Sequence, residues 1–489
     1  MALFSLLSVA QGALLAQQRA IGVIGQNVAN AETPGYTRQR PRLGSTPANA
    51  FQPGSPGGGV ELLAIERVRG GFYDESWRRE AALGSRYRTL EQTLSRISAV
   101  LAEPSDTGIA ASLDGLIDAF HSLAADPTDP AARGVVLTQA QGLVGLFRSF
   151  DARLQQIGAA IGAELNQVVS DAGSLLTELD GLNTRIRLTG GQAPDLLDRR
   201  DLILDQLSQS LDVRVLARGQ GTVDVFLGGL QLVSATGGAQ PLSLGGSGPF
   251  QLLVGNPPSP AAPSGGRVAG LQDAFAALGS AGSSTARATG LRGQLDDLAL
   301  GIVAAINQIH SDYDPLTKPL QPTLVPPPSP LRSIVPLFVT TGVTAGSIEV
   351  NPAVLADPTQ LAAGWSTAAG DNSIALRLGQ LRNLAVPVPG ATAGGPSSPP
   401  VAGGPAMILG DFYSGMIGGL AITTRDAGNQ VVSQDALIEH LEAQRQNAGG
   451  VNLDEEMVLL IEHQQAYAAA ARLVKVADEM LDELLNLGR

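Results

Sequence analysis

The sequence predicts a mainly α chain with β-rich insertions, drawn out into an elongated molecule of several domains. Three observations predict it. The first and last stretches each carry one narrow apolar seam of helical period, with further seams between them. Two intervening regions lose that period and fill with Gly, Pro and short alternating runs. Aromatic residues are only 4% of the 489, against 59 glycines, a mixture suited to close helix packing more than to one aromatic core.

Along the first seam, Leu3, Leu7, Ala10, Leu14, Gln17, Ile21, Ile24 and Val28 recur at alternating steps of four and three. The helix must stop soon afterwards, because Pro34 pushes Thr33 out of the helical region and Pro34-Gly35 suits the centre of a type II turn. Beyond it Tyr36, Arg38 and Arg40 alternate with Thr37 and Gln39, as in a strand. Ser45 to Gly59 reads as a loop and Val60 to Val68 as a short strand. Leu83, Tyr87, Leu90, Leu94, Ile97 and Leu101 form the next seam, and Ile109 to Leu123 a shorter helix. Asp129-Pro130 then supplies a cap and first helical residue for the longest seam, Leu143 to Ile186, which is strut-like at roughly 65 Å if unbroken.

After Gly190-Gly191 another helix opens on Asp195-Leu196-Leu197-Asp198-Arg199-Arg200-Asp201. With Arg199 and Arg200 interleaved and no His nearby, Asp195, Asp198, Asp201 and Asp205 are expected to form i,i+3 and i,i+4 ion pairs rather than a cation site. Val213, Val215, Gly219-Gln220-Gly221, Val223, Val225 and Leu227 read as a hairpin that begins the first insertion. A seam from Leu291 to Ile309 follows. A second irregular stretch then holds short apparent strands at Leu337 to Val339 and Ser347 to Val350. The last helix is capped by Asn452, with Glu455 at its third position, and carries Leu453, Met457, Leu460, Tyr467, Val474 and Leu481 along one side. It should pair antiparallel with the first. The expected division is terminal helices at 1–34 and 451–489, a helical domain over 35–210, 271–312 and 406–450, and β-rich insertions over 211–270 and 313–405.

A net charge of -13 disfavours nucleic acid and anionic membranes. Arg38, Arg40, Arg42, Arg67, Arg69, Arg78 and Arg79 nevertheless form a basic sector, either a solvated, salt-bridged face or a docking face for acidic neighbours. Without cysteine there is no disulfide, thiolate metal site or thiol nucleophile. His121, His310, His440 and His463 lack metal-like spacing, and no nucleophile elbow, zinc-protease helix or phosphate loop occurs, so neither catalysis nor a cofactor is expected. The chain has no membrane-length apolar run. Its first apolar run has no basic residue before it, as a cleaved signal peptide would.

Asn27, Ala29, Asn30, Thr33, Pro34, Gly35 and Tyr36 follow the pattern Asn-x-Ala-Asn-x-x-Thr-Pro-Gly-Tyr, and the N-terminal stretch thereby resembles the bacterial flagellar axial proteins of the rod, hook and hook-associated groups. The Asp195 to Asp201 run, Gly221 to Phe226, Val350-Asn351-Pro352 with Ala356-Asp357-Pro358, Gly370-Asp371-Asn372, Gly450 to Met457 and Ala477 to Leu481 narrow the resemblance to the hook-associated family of the hook–filament junction. That resemblance implies a structural subunit of an extracellular flagellum, with terminal helices in an inner tube and a β-rich domain facing outward. It also implies export through the flagellar type III apparatus without a cleaved signal. The implied partners are identical subunits in a ring, the hook protein, a second junction protein of the FlgL type and a FlgN-type chaperone on the C-terminal helix, with no nucleic acid and no membrane insertion. The alternatives are a hook or distal-rod protein, or a secreted coiled-coil adhesin or effector.

Overall fold

The computed structural model describes residues 2–45, 59–101, 105–245, 250–279, 290–311, 335–366, 368–387 and 406–487. Helix α1 (Ala2–Ala29) leads into an antiparallel ribbon of β1 (Gln39–Ser45) and β2 (Val60–Arg67). Four helices follow: α2 (Gly71–Leu101), α3 (Ile109–Ala125), α4 (Pro130–Leu188) and α5 (Pro194–Ser210). The start of α4 is set as its sequence requires, for the Asp129 carboxylate accepts from the Ala131 and Ala132 N–H groups and Pro130 occupies the first turn. With 59 residues, α4 is about 88 Å long at the usual rise of about 1.5 Å per residue. Its buried line runs through Leu143, Phe147, Leu154, Leu165, Leu179 and Ile186. Further along, the fully buried residue is Leu176, with Leu175 only half-buried beside it.

Two small antiparallel sheets follow. The first has the order β3 (Val213–Ala217), β4 (Val223–Leu227), β5 (Leu230–Val233). The second is β6 (Leu242–Gly245), β7 (Gln251–Val254), β8 (Ser259–Ala261). Next come α6 (Gly266–Leu278) and α7 (Gly290–Ser311). After them lie two short helices, α8 (Pro352–Ala356) and α9 (Ser373–Gly379), the pair β9 (Ala385–Pro387) and β10 (Ala406–Ile408), and the long helices α10 (Leu409–Gly449) and α11 (Leu453–Leu487).

The second insertion departs from the β-rich expectation over most of its described length, where β9 is its one strand among short helical turns. Leu337–Val339 and Ser347–Val350 do meet, through Val339 N–H to Glu349 O (3.0 Å) and Asn351 N–H to Leu337 O (2.8 Å), but the ladder is one bridge long. Asn351 and Asp357 end it: each side chain accepts from a backbone N–H two residues on and is followed by proline, so short helical turns start instead. Residues 313–334 and 388–405 of that stretch lie outside the described residues.

One apolar cluster runs through α2–α10 and both three-stranded sheets, and no residue of α1 or α11 belongs to it. Small residues let its helices approach closely. A Cβ on Gly270 of α6 would lie 2.4 Å from Arg86 O of α2. Gly270→Val should therefore force the two helices apart and cost about 2 kcal/mol, read as a lower urea midpoint; an unchanged midpoint would show that the contact is slack.

Candidate assembly site at the joint of the terminal helices

Helices α1 and α11 pair antiparallel, as their seams require: Asn27 meets Glu456 at one end, and Gln17 meets His463 two turns away. Neither helix enters the apolar cluster; α1 packs along the β1–β2 ribbon, and polar bonds tie the pair to the rest of the chain. The turn after α1 begins that joint. Tyr36 N–H donates to Thr33 O (3.1 Å) and Gly35 has φ +82°, the left-handed third position that a type II turn demands.

The turn delivers Tyr36 to Asn27, whose side chain is 1% exposed and uses its full hydrogen-bonding capacity. Asn27 Oδ1 accepts from the Tyr36 hydroxyl (2.8 Å) and the Gln39 N–H (3.0 Å), while Nδ2 donates to Gln39 O (2.8 Å) and Glu456 Oε2 (2.9 Å). The Gln39 backbone supplies one obligate donor and one obligate acceptor, so the amide orientation is fixed by its surroundings. One side chain thus ties α1, its turn, β1 and the start of α11. Glu456, also 1% exposed, takes a second bond from Arg38 Nε (2.7 Å), and Glu455 takes one from Arg38 Nη1 (2.8 Å). Asn452 caps α11 as expected, accepting from Asp454 N–H (3.0 Å). Glu455, expected to reach back and complete a capping box, faces Arg38 instead.

Behind the turn lies a buried ion network. Asp198, Asp201 and Asp205 share one face of α5, and apart from Arg200, which pairs with its neighbour Asp201, their partners come from outside the helix rather than from the i,i+3 and i,i+4 neighbours anticipated. Asp201 accepts from Arg67 (2.9 Å), Arg69 (2.7 Å) and Arg200 (2.6 Å); Asp198 pairs with Arg67 (2.5 Å). Asp205 holds Arg78 (2.6 Å) and Arg445 (2.8 Å), and Asp74 holds Arg69 (2.5 Å) and Arg445 (2.9 Å). Arg445 also stacks over Trp77, 4.7 Å from the ring centroid. The acidic face of α5 is buried, where opposite charges attract more strongly than along a solvated helix. Guanidiniums from β2, α2 and α10 therefore displace the local partners, and Arg199 turns outward to Glu178 of α4 (2.7 Å). Of the anticipated basic sector, Arg67, Arg69 and Arg78 are consumed in this way and Arg38 by Glu455 and Glu456, while Arg42 and Arg79 make exposed pairs with Glu66 and Glu75.

Burial alone would raise the Asp201 pKa, but Arg200, Arg69, Arg67 and Arg78 reverse that and hold it down at about 2. Tyr36 is pushed up to about 12, first by burial and then by the negative charges of Asp198, Asp195 and Glu456. A depressed carboxylate stabilises the fold above its unfolded pKa and loses that contribution as pH falls through its folded value. Asp201 should therefore contribute on the order of 2 kcal/mol near neutrality, lost between about pH 4 and 2. Unfolding curves across that range should steepen in acid for the native chain and flatten for Asp201→Asn; identical acid limbs would contradict the assignment.

The seam residues divide. Ile24 is buried, Leu7, Leu14 and Ile21 are half-buried, and Val28 is exposed; the Leu3 side chain lies outside the described residues. On α11, Leu460, Val474 and Leu481 are half-buried toward α1, whereas Leu453, Met457 and Tyr467 are exposed. The face that meets α1 runs instead through Glu456, Leu460, His463, Ala470, Val474, Ala477 and Leu481. Of the turn, Asn30 is half-buried, while Thr33, Pro34 and Gly35 sit at the surface, Thr33 donating its hydroxyl to Asn30 Oδ1 (3.2 Å). Glu456, Gln39 and Arg445 escaped the sequence reading. Among the described residues no group of His, Asp or Glu could hold a metal ion, and no helix is long and apolar enough to cross a membrane.

Three family models match in order: a flagella basal body rod protein model over residues 7–37, the flagellar hook-associated protein FlgK helical domain over 94–314, and the C-terminal model of the flagellar basal body rod FlgEFG proteins over 442–487. The chain is a structural protein of the bacterial flagellar axis. Within that class its likeness is to FlgK, flagellar hook-associated protein 1: the Bacillus subtilis protein is 28% identical over 98% of this chain and 97% of its own length. The Salmonella typhimurium protein of the same name is also 28% identical, over 46% of this chain and 41% of its own. The flagellar hook junction protein FlgK from Burkholderia pseudomallei has the same fold, with a TM-score of 0.59 at 14% identity, covering 76% of this chain and 99% of that one.

Proposed function

We propose that the protein is the subunit of the hook–filament junction and assembles through its paired terminal helices. One observation carries the assembly mode: α11 is apolar on two faces. One face meets α1, and the other leaves Met457 (48% exposed), Val458 (65%), Ile461 (50%) and Met480 (45%) open to solvent. A helix that is apolar beyond the stripe it buries has a second surface to cover, and in an axial polymer a neighbouring subunit covers it. The terminal pair then forms the inner layer, the polar joint sets its angle to the body, and the sheet-bearing domain stands outside. The partners that fit are further copies in a ring, the hook protein, and a second junction protein of the FlgL type. Before assembly a FlgN-type chaperone would cover α11 during export without a cleaved signal. The role is structural, and no catalytic step is assigned.

The two faces can be separated by mutation. Leu14→Asp and Leu460→Asp strike the α1–α11 contact and should both loosen the pair and abolish incorporation into the junction. Ile461→Asp strikes only the open face, so the isolated protein should keep its unfolding midpoint while incorporation, scored by electron microscopy of flagella, is lost. Normal junctions with Ile461→Asp would sink this mode of assembly.

A further inference from the structure

Strand β3 lies at the edge of its sheet and forms one bank of an open groove of 1570 Å³ between that sheet, β2, the start of α2 and α5. All residues from Asp212 to Arg218 line it. The Arg218 N–H donates to Thr222 O (2.8 Å). By the two-residue alternation of an antiparallel ladder, Arg214 and Leu216 then turn their backbone groups to β4, while Val215 and Ala217 turn theirs into the groove. No acceptor among the described residues meets the Val215 or Ala217 N–H. Such an edge is a template for another strand.

The groove's charge selects the strand. Seven arginines line it against five acidic side chains, in a chain whose net charge is -13. Four of the seven, Arg67, Arg69, Arg78 and Arg200, are held in the buried network; Arg214 is exposed and forms no ion pair among the described residues, and Arg79 and Arg218 pair with Glu75 and Asp224 yet keep 63% and 50% of their side chains exposed. Ile65 and Leu216, 40% and 45% exposed, give it apolar footholds. Its volume exceeds the roughly 300–1,000 Å³ of small-molecule sites, as a site for a polymer segment should.

We propose that this groove receives an extended acidic segment of a partner protein, which adds to β3 as a fourth strand. Its carboxylates lie beside Arg79, Arg214 and Arg218, and its apolar residues rest on Ile65 and Leu216. The site is remote in kind from the helical faces invoked for assembly, and it stands or falls on the isolated protein whether or not that protein occupies the junction.

The test is fluorescence anisotropy with the full chain and a labelled octapeptide of alternating Val and Glu, compared with its Val-Lys counterpart. The acidic peptide should bind at least tenfold more tightly. Ala217→Pro removes an outward N–H without touching the β3–β4 bonds and should weaken binding at least tenfold, with the urea midpoint confirming that the fold is kept. Arg214→Glu with Arg218→Glu should reverse the preference between the peptides. No binding of the acidic peptide, or equal binding of both peptides, would overturn the proposal. So would undiminished binding by a folded Ala217→Pro protein, since contact by charge alone needs no strand.

Discussion

Replacing Asn27 by alanine is expected to release the terminal helices from the body while the body stays folded. The truncation leaves the Tyr36 hydroxyl, both Gln39 backbone groups and one Glu456 oxygen without the partner that now joins them. Each buried polar group left unpaired costs about 1–3 kcal/mol, so even with some water entering, a loss of about 3 kcal/mol at the joint follows. Since α1 and α11 lie outside the apolar cluster, that loss falls on their attachment alone. Hydrogen exchange should quicken along both helices and stay slow in α4. Asn27→Asp should be worse, because it sets a carboxylate where an amide now donates to Glu456 over 2.9 Å. Unchanged protection in α1 and α11 with either substitution would show that the helices hold on by other means.

Asp201→Asn should have the largest effect on the body. The side chain keeps its size, so no cavity forms, but Arg67, Arg69 and Arg200 lose a shared counter-charge at a site only 3% exposed. Breaking a buried ion pair on one side typically costs about 3–5 kcal/mol because the stranded charge stays buried. A thermal melt should show a fall of several degrees. Adding Arg200→Met should restore part of the loss by removing the guanidinium whose ion pair was with Asp201 alone, since Arg67 and Arg69 keep Asp198 and Asp74. A double variant no more stable than Asp201→Asn would mean that these charges do not act through each other.

How much of this was legible in the sequence depended on whether the information was local. The turn at Pro34-Gly35 and the caps at Asp129 and Asn452 were readable because each is settled within four residues. The hairpin from Val213 to Leu227 was readable for the same reason. The joint was half readable: Asn27 stands out as an amide directly before the seam residue Val28, but its partner Glu456 lies 429 positions away and looks like an ordinary acid in a helix's first turn. The ion pairs of α5 were foreseen as pairs and misassigned in partner, since sequence shows helical neighbours and not the arginines that folding brings across from β2, α2 and α10. The α11 seam was ambiguous for a different reason. That helix carries two apolar faces, and the inner one uses the small residues Ala470 and Ala477, which weigh less in a hydrophobic pattern than the outward Met457 and Tyr467.

Attachment by the terminal helices is tested most directly by binding to isolated hooks, comparing the full chain with one lacking Asn452 to Arg489 and imaging where bound protein sits. The full chain should sit at the distal end of the hook, and the truncated one should not bind. Equal binding of the two at that end would move the attachment to the outer domains and contradict an anchoring role for α11.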